Sequence, residues 1–441
     1  MNHAVPTLKK LRSAMLALLL AEGLAGFAGA QEAAPAVRLG PVADSPSPWY
    51  VGASQGFTHS SNVYSVPEGS GDTWSSTSLL AGFDQRISRQ RVFGSATVSA
   101  NRYFDQARLN NASYDVALGA NWETVANLSG DLNLGLDQSL AAPAASAGTP
   151  VARKNLARTE TFGSKVRWGG VSLLTLEAGY DYSRLDYSAP EYASAETRRD
   201  SGSLALYYRP GGPLRLGVGV RVDRTRSPEA LIDPVSGGFE ANTVHGRHLD
   251  LFADYDVTGA LLVNSRLSYT RQRNSALGNA DFTGVTGRLG AIWKATGKIT
   301  LNAYVARDAG FDVASSTRQT FAFSGGTFAS TPVTSFYENN RITDSAEVGA
   351  AWAATARIGV NAGARYSRAK LSTTVGAIAG GPARPDSTDV AQGVFVGATY
   401  EIGRNWTAAC SGSHDTRHVS GGVEYSYSVN TVGCSTRYLW R

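Results

Sequence analysis

An aromatic residue recurs just ahead of a very short turn at Trp122, Trp168, Tyr208, Tyr255, Trp293, Trp352 and Tyr400, with Phe83 as a looser first copy. Part of the wording around them recurs too, as Gly119-Ala120-Asn121-Trp122, Gly290-Ala291-Ile292-Trp293, Gly349-Ala350-Ala351-Trp352 and Gly397-Ala398-Thr399-Tyr400. Successive copies stand roughly 40 to 60 residues apart, room for two strands of about 10 residues or more, one tight turn and one loop. Aromatics held at one height beside one set of short turns build a girdle at a membrane interface, where Trp and Tyr are most stable. The repeated unit is a hairpin, and the fold class it predicts is all-β: a transmembrane antiparallel up-and-down β-barrel.

The amino terminus gives an address. Lys9, Lys10 and Arg12 precede an apolar stretch from Ala14 to Ala28 that closes on Ala28-Gly29-Ala30. A charged segment, a short apolar segment and a small-x-small site read as a signal peptide, residues 1–30, with the mature chain beginning at Gln31. An Ala- and Pro-rich linker, 31–47, follows on the periplasmic side, and residues 48–441 form the barrel. No later stretch approaches 18 consecutive apolar residues, the length a membrane helix needs. With 48 Gly in 441 residues and 42% hydrophobic content, the composition suits a barrel wall that meets lipid only at every second position. The net charge of +5 is small and evenly spread, which argues against nucleic acid as a partner.

Short turns read at Ser88-Arg89-Gln90, Val125-Ala126-Asn127, Gly169-Gly170, Pro210-Gly211-Gly212-Pro213, Thr258-Gly259, Thr296-Gly297-Lys298, Thr355-Ala356 and Gly403-Arg404. Their Gly, Asn and Pro supply the backbone angles of tight turns. Longer polar loops fall between them, among them Ser227 to Asn242 and Ala309 to Arg341. Turns and loops together separate about 18 strands, with 16 as the neighbouring even count. An even number puts both termini on the short-turn, periplasmic side of a bacterial outer membrane.

Motifs for catalysis are weak. Gly52-Ala53-Ser54-Gln55-Gly56 matches Gly-x-Ser-x-Gly, but it lies inside the first strand, whereas a nucleophile elbow needs a strand, a sharp turn and a helix. The histidines beyond the signal, His59, His245, His248, His414 and His418, fall near strand ends without a ligand motif. No enzyme activity, metal or cofactor is expected. Cys410 and Cys434 sit opposite one another across the last hairpin with the same strand parity, so either a cross-strand disulfide or two free, lipid-facing thiols is expected.

The informative polar residues are those whose parity turns them to the lumen. The cations include Lys165, Arg167, Arg209, Arg215, Arg221, Arg266, Arg288, Lys294, Arg357 and Arg365; the acids include Asp115, Glu123, Asp131, Asp137, Glu177, Asp181, Asp223, Asp250, Asp254, Asp256, Glu347 and Glu401. The two signs nearly balance, so the wall is mixed rather than a one-sign filter, and either cross-strand ion pairs or a functional lining accounts for it. Side chains cannot fill a barrel of 16 to 18 strands, so a water-filled lumen is expected. The longest loop carries Phe321, Phe323, Phe328, Phe336 and Tyr337, either as a constriction or stacking surface or as a hairpin extending two strands.

At Gly56-Phe57-Thr58-His59-Ser60-Ser61-Asn62-Val63-Tyr64, at Gly82-Phe83-Asp84, at Asn101-Arg102-Tyr103-Phe104, and at the closing Tyr425-Ser426-Tyr427-Ser428-Val429-Asn430 and Tyr438-Leu439-Trp440, the chain resembles the outer-membrane β-barrel porins encoded in exopolysaccharide biosynthesis operons. The resemblance runs over essentially the whole mature chain through short, strand-like motifs. It implies a pore for export of an exopolysaccharide, with no catalytic residue to carry over. The partners expected are the exopolysaccharide chain, a periplasmic polysaccharide-export protein and outer-membrane lipid, around a monomeric barrel. The alternatives are a general diffusion porin for small solutes and a surface scaffold or adhesin with a closed lumen.

Overall fold

Alternation of apolar and polar residues can hold a strand in place only if each backbone group finds a partner, and in hydrocarbon that requires a sheet without edges. The computed structural model describes residues 48–440, except for 126, 142–144, 147–148, 151–153, 170–171, 233–238, 258, 276–280, 312–317, 325–326, 334–339, 373–386 and 421–425. The signal peptide and linker expected at residues 1–47 lie outside the described residues.

The chain enters the barrel through β1 (Trp49–Ser60), β2 (Asp72–Ile87), β3 (Gln90–Tyr103), β4 (Asn111–Glu123) and β5 (Leu128–Leu140). A small separate hairpin, β6 (Ala145–Ser146) and β7 (Thr149–Pro150), occupies the next loop. The wall continues as β8 (Leu156–Trp168), β9 (Leu174–Tyr187), β10 (Thr197–Tyr208), β11 (Leu214–Ile232), β12 (Phe239–Asp256), β13 (Leu261–Asn274), β14 (Phe282–Lys294) and β15 (Ile299–Phe311). A second separate hairpin, β16 (Arg318–Ser324) and β17 (Thr327–Val333), stands in the longest loop. β18 (Asn340–Ala353), β19 (Ile358–Ser372), β20 (Ser387–Glu401), β21 (Trp406–Ser420) and β22 (Tyr427–Trp440) complete the wall.

Eighteen strands form one antiparallel sheet, and β22 pairs with β1 from Val51↔Trp440 to Ser60↔Thr431, which closes it. The closed barrel has the expected strand number, and the short turns all fall at one end. On β11, Leu216, Val218, Val220 and Val222 are exposed, whereas Arg221 and Asp223 on the other parity are buried. The exposed apolar set is the lipid-facing surface, and the barrel belongs in an outer membrane.

The recurring Gly in the aromatic repeat has a structural cause. Gly119, Gly290, Gly349 and Gly397 point to the lumen and lie directly opposite Phe93, Asn264, Asn302 and Asn361 on the preceding strand. A Cβ at Gly290 would stand 2.6 Å from the Asn264 Oδ1, and one at Gly349 the same distance from the Asn302 Oδ1. The glycine makes room for its partner's side chain, so register and repeat are fixed together.

Two expected loops differ in the structure. Much of Ser227 to Asn242 is strand: pairing continues to Ser227↔Asn242, breaks at a bulge, and resumes at Leu231↔Glu240 and Ile232↔Phe239. Pro228 marked a loop in the sequence, but the bulge lifts it out of the ladder, where its missing N–H costs nothing. In the longest loop the hairpin of β16 and β17 is a sheet of its own and does not prolong β15 and β18; its backbone approaches β20 and β21.

The last hairpin is joined covalently. Cys410 and Cys434 are direct register partners and form a disulfide on the lipid-facing side. Linking positions 24 residues apart restricts the unfolded chain by about 3 kcal/mol in the chain-entropy account.

The closing seam is a place sensitive to added bulk. A Cβ at Gly52 would lie 2.4 Å from the Tyr438 carbonyl oxygen, backbone that cannot move without opening the seam. Gly52→Val should cost at least about 1 to 3 kcal/mol, seen as loss of the fast-migrating folded band on a heat-modified gel. Gly412→Val, whose Cβ meets nothing nearer than 3.8 Å, should leave that band intact; equal behaviour of the two variants would refute the account.

Candidate functional site

The lumen wall is built by strand parity, and glycine decides which charges reach one another across it. Arg167 on β8 lies opposite Glu177 on β9 and donates from Nε to its Oε2 at 2.7 Å. The same guanidinium reaches back to Asp131 on β5, Nη1 to Oδ1 at 2.7 Å, so one cation bridges three strands. Lys165 is buried beside this group as the register partner of Asp131, and Asp181 faces Gly163 and Ser201.

A second network spans β10 to β14. Asp223 accepts from Arg199 at 3.4 Å and pairs with the His248 Nε2 at 2.6 Å. The His248 Nδ1 bonds the Thr270 hydroxyl at 3.0 Å, and Thr270 bonds Thr286 at 2.8 Å. Arg221 pairs with Asp250 at 3.3 Å, with both side chains 3% exposed. Gly246, the register partner of Asp223, leaves the space that the carboxylate fills. The Asp–His–Thr order resembles a nucleophilic relay, yet Thr270 has 0% exposure and no route to a substrate, so it is a structural chain of hydrogen bonds.

Further pairs ring the wall. Arg215 bonds Asp254 at 3.0 Å and lies 4.0 Å from the Tyr207 ring centre. Arg288 sits 4.4 Å from the Tyr304 ring centre, and the Tyr304 hydroxyl donates to Glu347 at 3.2 Å. Arg365 lies opposite Glu347 in register, yet it bonds Asp415 at 2.5 Å, reaching over Gly393 on the strand between them. Arg417 holds Asp389 through two bonds at 3.0 and 2.9 Å. Arg266 is buried opposite Arg288.

The candidates Lys165, Arg167, Arg215, Arg221, Arg266, Arg288, Arg365, Asp131, Asp181, Asp223, Asp254 and Glu347 thus share one strand face, and Arg167, Arg215, Arg221, Arg365, Asp131, Asp223 and Asp254 each meet an opposite charge within the wall. Arg209 and Arg357 do not join them: both lie in short turns, beyond the last strand residues Tyr208 and before Ile358. Asp250 is among the expected lumen acids, but sequence parity does not single out Arg199, Asp389, Arg417 or Asp415, because each pairs diagonally or across an intervening strand rather than with its direct register partner. The Gly-x-Ser-x-Gly segment is uninterrupted strand within β1, with no turn or helix after Ser54.

The girdle residues Trp168, Tyr208, Tyr255, Trp293, Trp352 and Tyr400 are all exposed at the short-turn end, Trp168 at 64%, with Trp122 half-buried. Trp49, Trp406 and Trp440 complete the belt around the seam. They escaped the repeat because they open or end strands at the seam or follow a turn. Of the loop aromatics, Phe321 and Phe323 are on β16 and Phe328 on β17, with Phe323↔Phe328 paired in backbone register; Phe336 and Tyr337 lie outside the described residues.

Of the motifs that carried the family resemblance, residues 56–64, 101–104 and 426–430 run to the loop end, whereas residues 82–84 and 438–440 lie at the short-turn end beside Trp49 to Ala53. The Ser61 amide donates to the Asn430 carbonyl at 2.9 Å, and the Asn62 side chain donates to the Ser428 carbonyl at 3.3 Å. Tyr64 donates to Gln106 at 2.9 Å, while buried Asp72 accepts from the Asp105 and Gln106 amides. The loop-end motifs are therefore anchors around the closure.

No known family model matches the chain, and no curated protein matches it. Among solved structures, OccK2 (OpdF) of Pseudomonas aeruginosa, solved in complex with glucuronate, is 14% identical with a TM-score of 0.46, over 90% of this chain and 99% of that one. OccK1 (OpdK) of P. aeruginosa is 12% identical with a TM-score of 0.45, over 89% and 99%. The outer membrane channel DcaP of Acinetobacter baumannii is 11% identical with a TM-score of 0.42, over 89% and 96%. A closed wall with an apolar outer band and a polar inner face is an outer-membrane pore.

Arg167 pairs with two carboxylates, so Arg167→Gln should leave Asp131 and Glu177 with Lys165 as their one neighbouring cation among the described residues and make the lumen more cation-selective. In a planar bilayer the cation-to-anion permeability ratio should rise about twofold or more; an unchanged reversal potential in a salt gradient would place the triad away from the ion path.

Proposed function

We propose that the barrel is the outer-membrane conduit for an exopolysaccharide, delivered to its short-turn end by a periplasmic polysaccharide-export protein. The observation that carries this reading is the neutralisation of the wall's charges by one another, from Asp131, Arg167 and Glu177 to Arg417 and Asp389. A polymer must pass by many weak contacts without a deep binding site. Paired charges interspersed with hydroxyls and amides, such as the Ser78–Ser99 contact at 2.8 Å and the Asn101–Asn111 contact at 3.0 Å, offer hydrogen bonds to a hydroxyl-rich chain without a field that would trap it. The sequence resemblance points the same way.

The second reading, a diffusion pore for small solutes, draws on the strand number: eighteen strands enclose a lumen wide enough for water and small solutes alike. The two readings part on what accumulates when the protein is missing. In a clean deletion strain, exopolysaccharide should fall in the medium and build up in the periplasm. Unchanged secretion, with reduced uptake of small hydrophilic solutes, would instead establish the diffusion pore.

A further inference from the structure

The outer face of β10 to β13 carries a second, different charge arrangement. Below, these strands present Leu204, Leu206, Val218, Val220, Leu249 and Leu251 to lipid. Above, the same outward parity switches to cations: Arg198 stands opposite Arg226, and Arg224 opposite His245. His245 is in turn opposite Arg273, and Arg247 opposite Arg271. All seven side chains are exposed. Like charges directly opposite in a sheet repel, so such a ladder is disfavoured unless something outside the barrel supplies anions.

The neighbouring strands are different. On β8, Arg158 pairs with Glu160 at 2.7 Å, and on β9, Arg184 pairs with Asp186 at 2.7 Å. Among the described residues none of the six outward arginines on β10 to β13 has an acid at ion-pair distance; the one acid in the ladder, Asp200, stands opposite Arg224 in register and accepts from the Tyr180 hydroxyl at 2.8 Å.

Height identifies the anion. Tyr208 in the girdle and Arg198 lie about ten residues apart, as do Leu214 and Arg224; at about 3.4 Å per residue and a tilt of about 40°, that rise is about 25 Å, the height of the apolar band of an outer-membrane barrel. The cations therefore begin where hydrocarbon ends at the loop side. We infer that the outward faces of β10 to β13 form a binding site for the phosphorylated headgroups of lipids in the outer leaflet, with Arg224, Arg247 and Arg271 at its centre. Guanidinium groups suit it, since each presents a planar fork to phosphate oxygens.

The test uses the purified full chain in detergent, with diphosphoryl lipid A as probe and native mass spectrometry as readout. Unaltered protein should bind the lipid, and binding should weaken as sodium chloride rises. The combined variant Arg224→Gln, Arg247→Gln and Arg271→Gln should lose affinity about tenfold or more, while the same three positions changed to Lys should retain part of it. Arg158→Gln with Arg184→Gln should bind as the unaltered protein does, and monophosphoryl lipid A should bind more weakly. Binding indifferent to salt, equal binding by the Gln variant with its folded gel band intact, or complete displacement by millimolar inorganic phosphate would each overturn the assignment, the last by marking a site for any small anion.

Discussion

Everything in this molecule depends on the pairing of β22 with β1. A backbone amide in hydrocarbon has no water to turn to, so an open eighteen-stranded sheet would expose two rows of unsatisfied groups to lipid. Ten register pairs from Val51↔Trp440 to Ser60↔Thr431 remove both edges at once. The features that crowd that seam follow from this: Gly52 where a side chain would meet the facing backbone, the aromatic belt of Trp49, Trp406 and Trp440, and the loop anchors formed by Ser61, Asn62 and Asn430. The motifs by which the chain resembles a family of porins are thus mainly devices of closure, which is why they specify a barrel more firmly than a substrate.

The two faces of the wall handle charge by different rules. Inside, glycine lets a guanidinium cross a neighbouring strand, as Arg365 does over Gly393 to Asp415, so charges far apart in register cancel. Outside, at the loop end of β10 to β13, cations line up strand after strand with one acid, Asp200, among them. A wall that settles its interior charges locally while leaving one exterior sector unbalanced has distinct surroundings on its two sides: passing solute within, fixed anions without.

Much of the fold was legible because period-2 alternation and the aromatic repeat are local properties of the chain, and a barrel needs little else. Strand number, the inward set from Lys165 to Glu347 and the girdle at Trp168 or Trp352 could be read one residue at a time. The parts that were not legible depend on neighbours distant in sequence. Arg365 reaches Asp415, two strands away, only because Gly393 on the strand between opens the path. Pro228 reads as a loop until the bulge beside it is seen to restore pairing at Leu231 and Ile232. The arginines Arg224, Arg226, Arg271 and Arg273 read as dispersed basic residues, since only the register of four strands gathers them.

The disulfide between Cys410 and Cys434 lies in the hairpin that must find β1 last. An exported chain meets an oxidising compartment before it meets the membrane, so these two strands can be locked in alignment while the rest of the chain is still unfolded. The final piece then arrives as a pre-set clasp: the search that completes the cylinder is for one partner edge, with no remaining freedom for the last two strands to slide against each other.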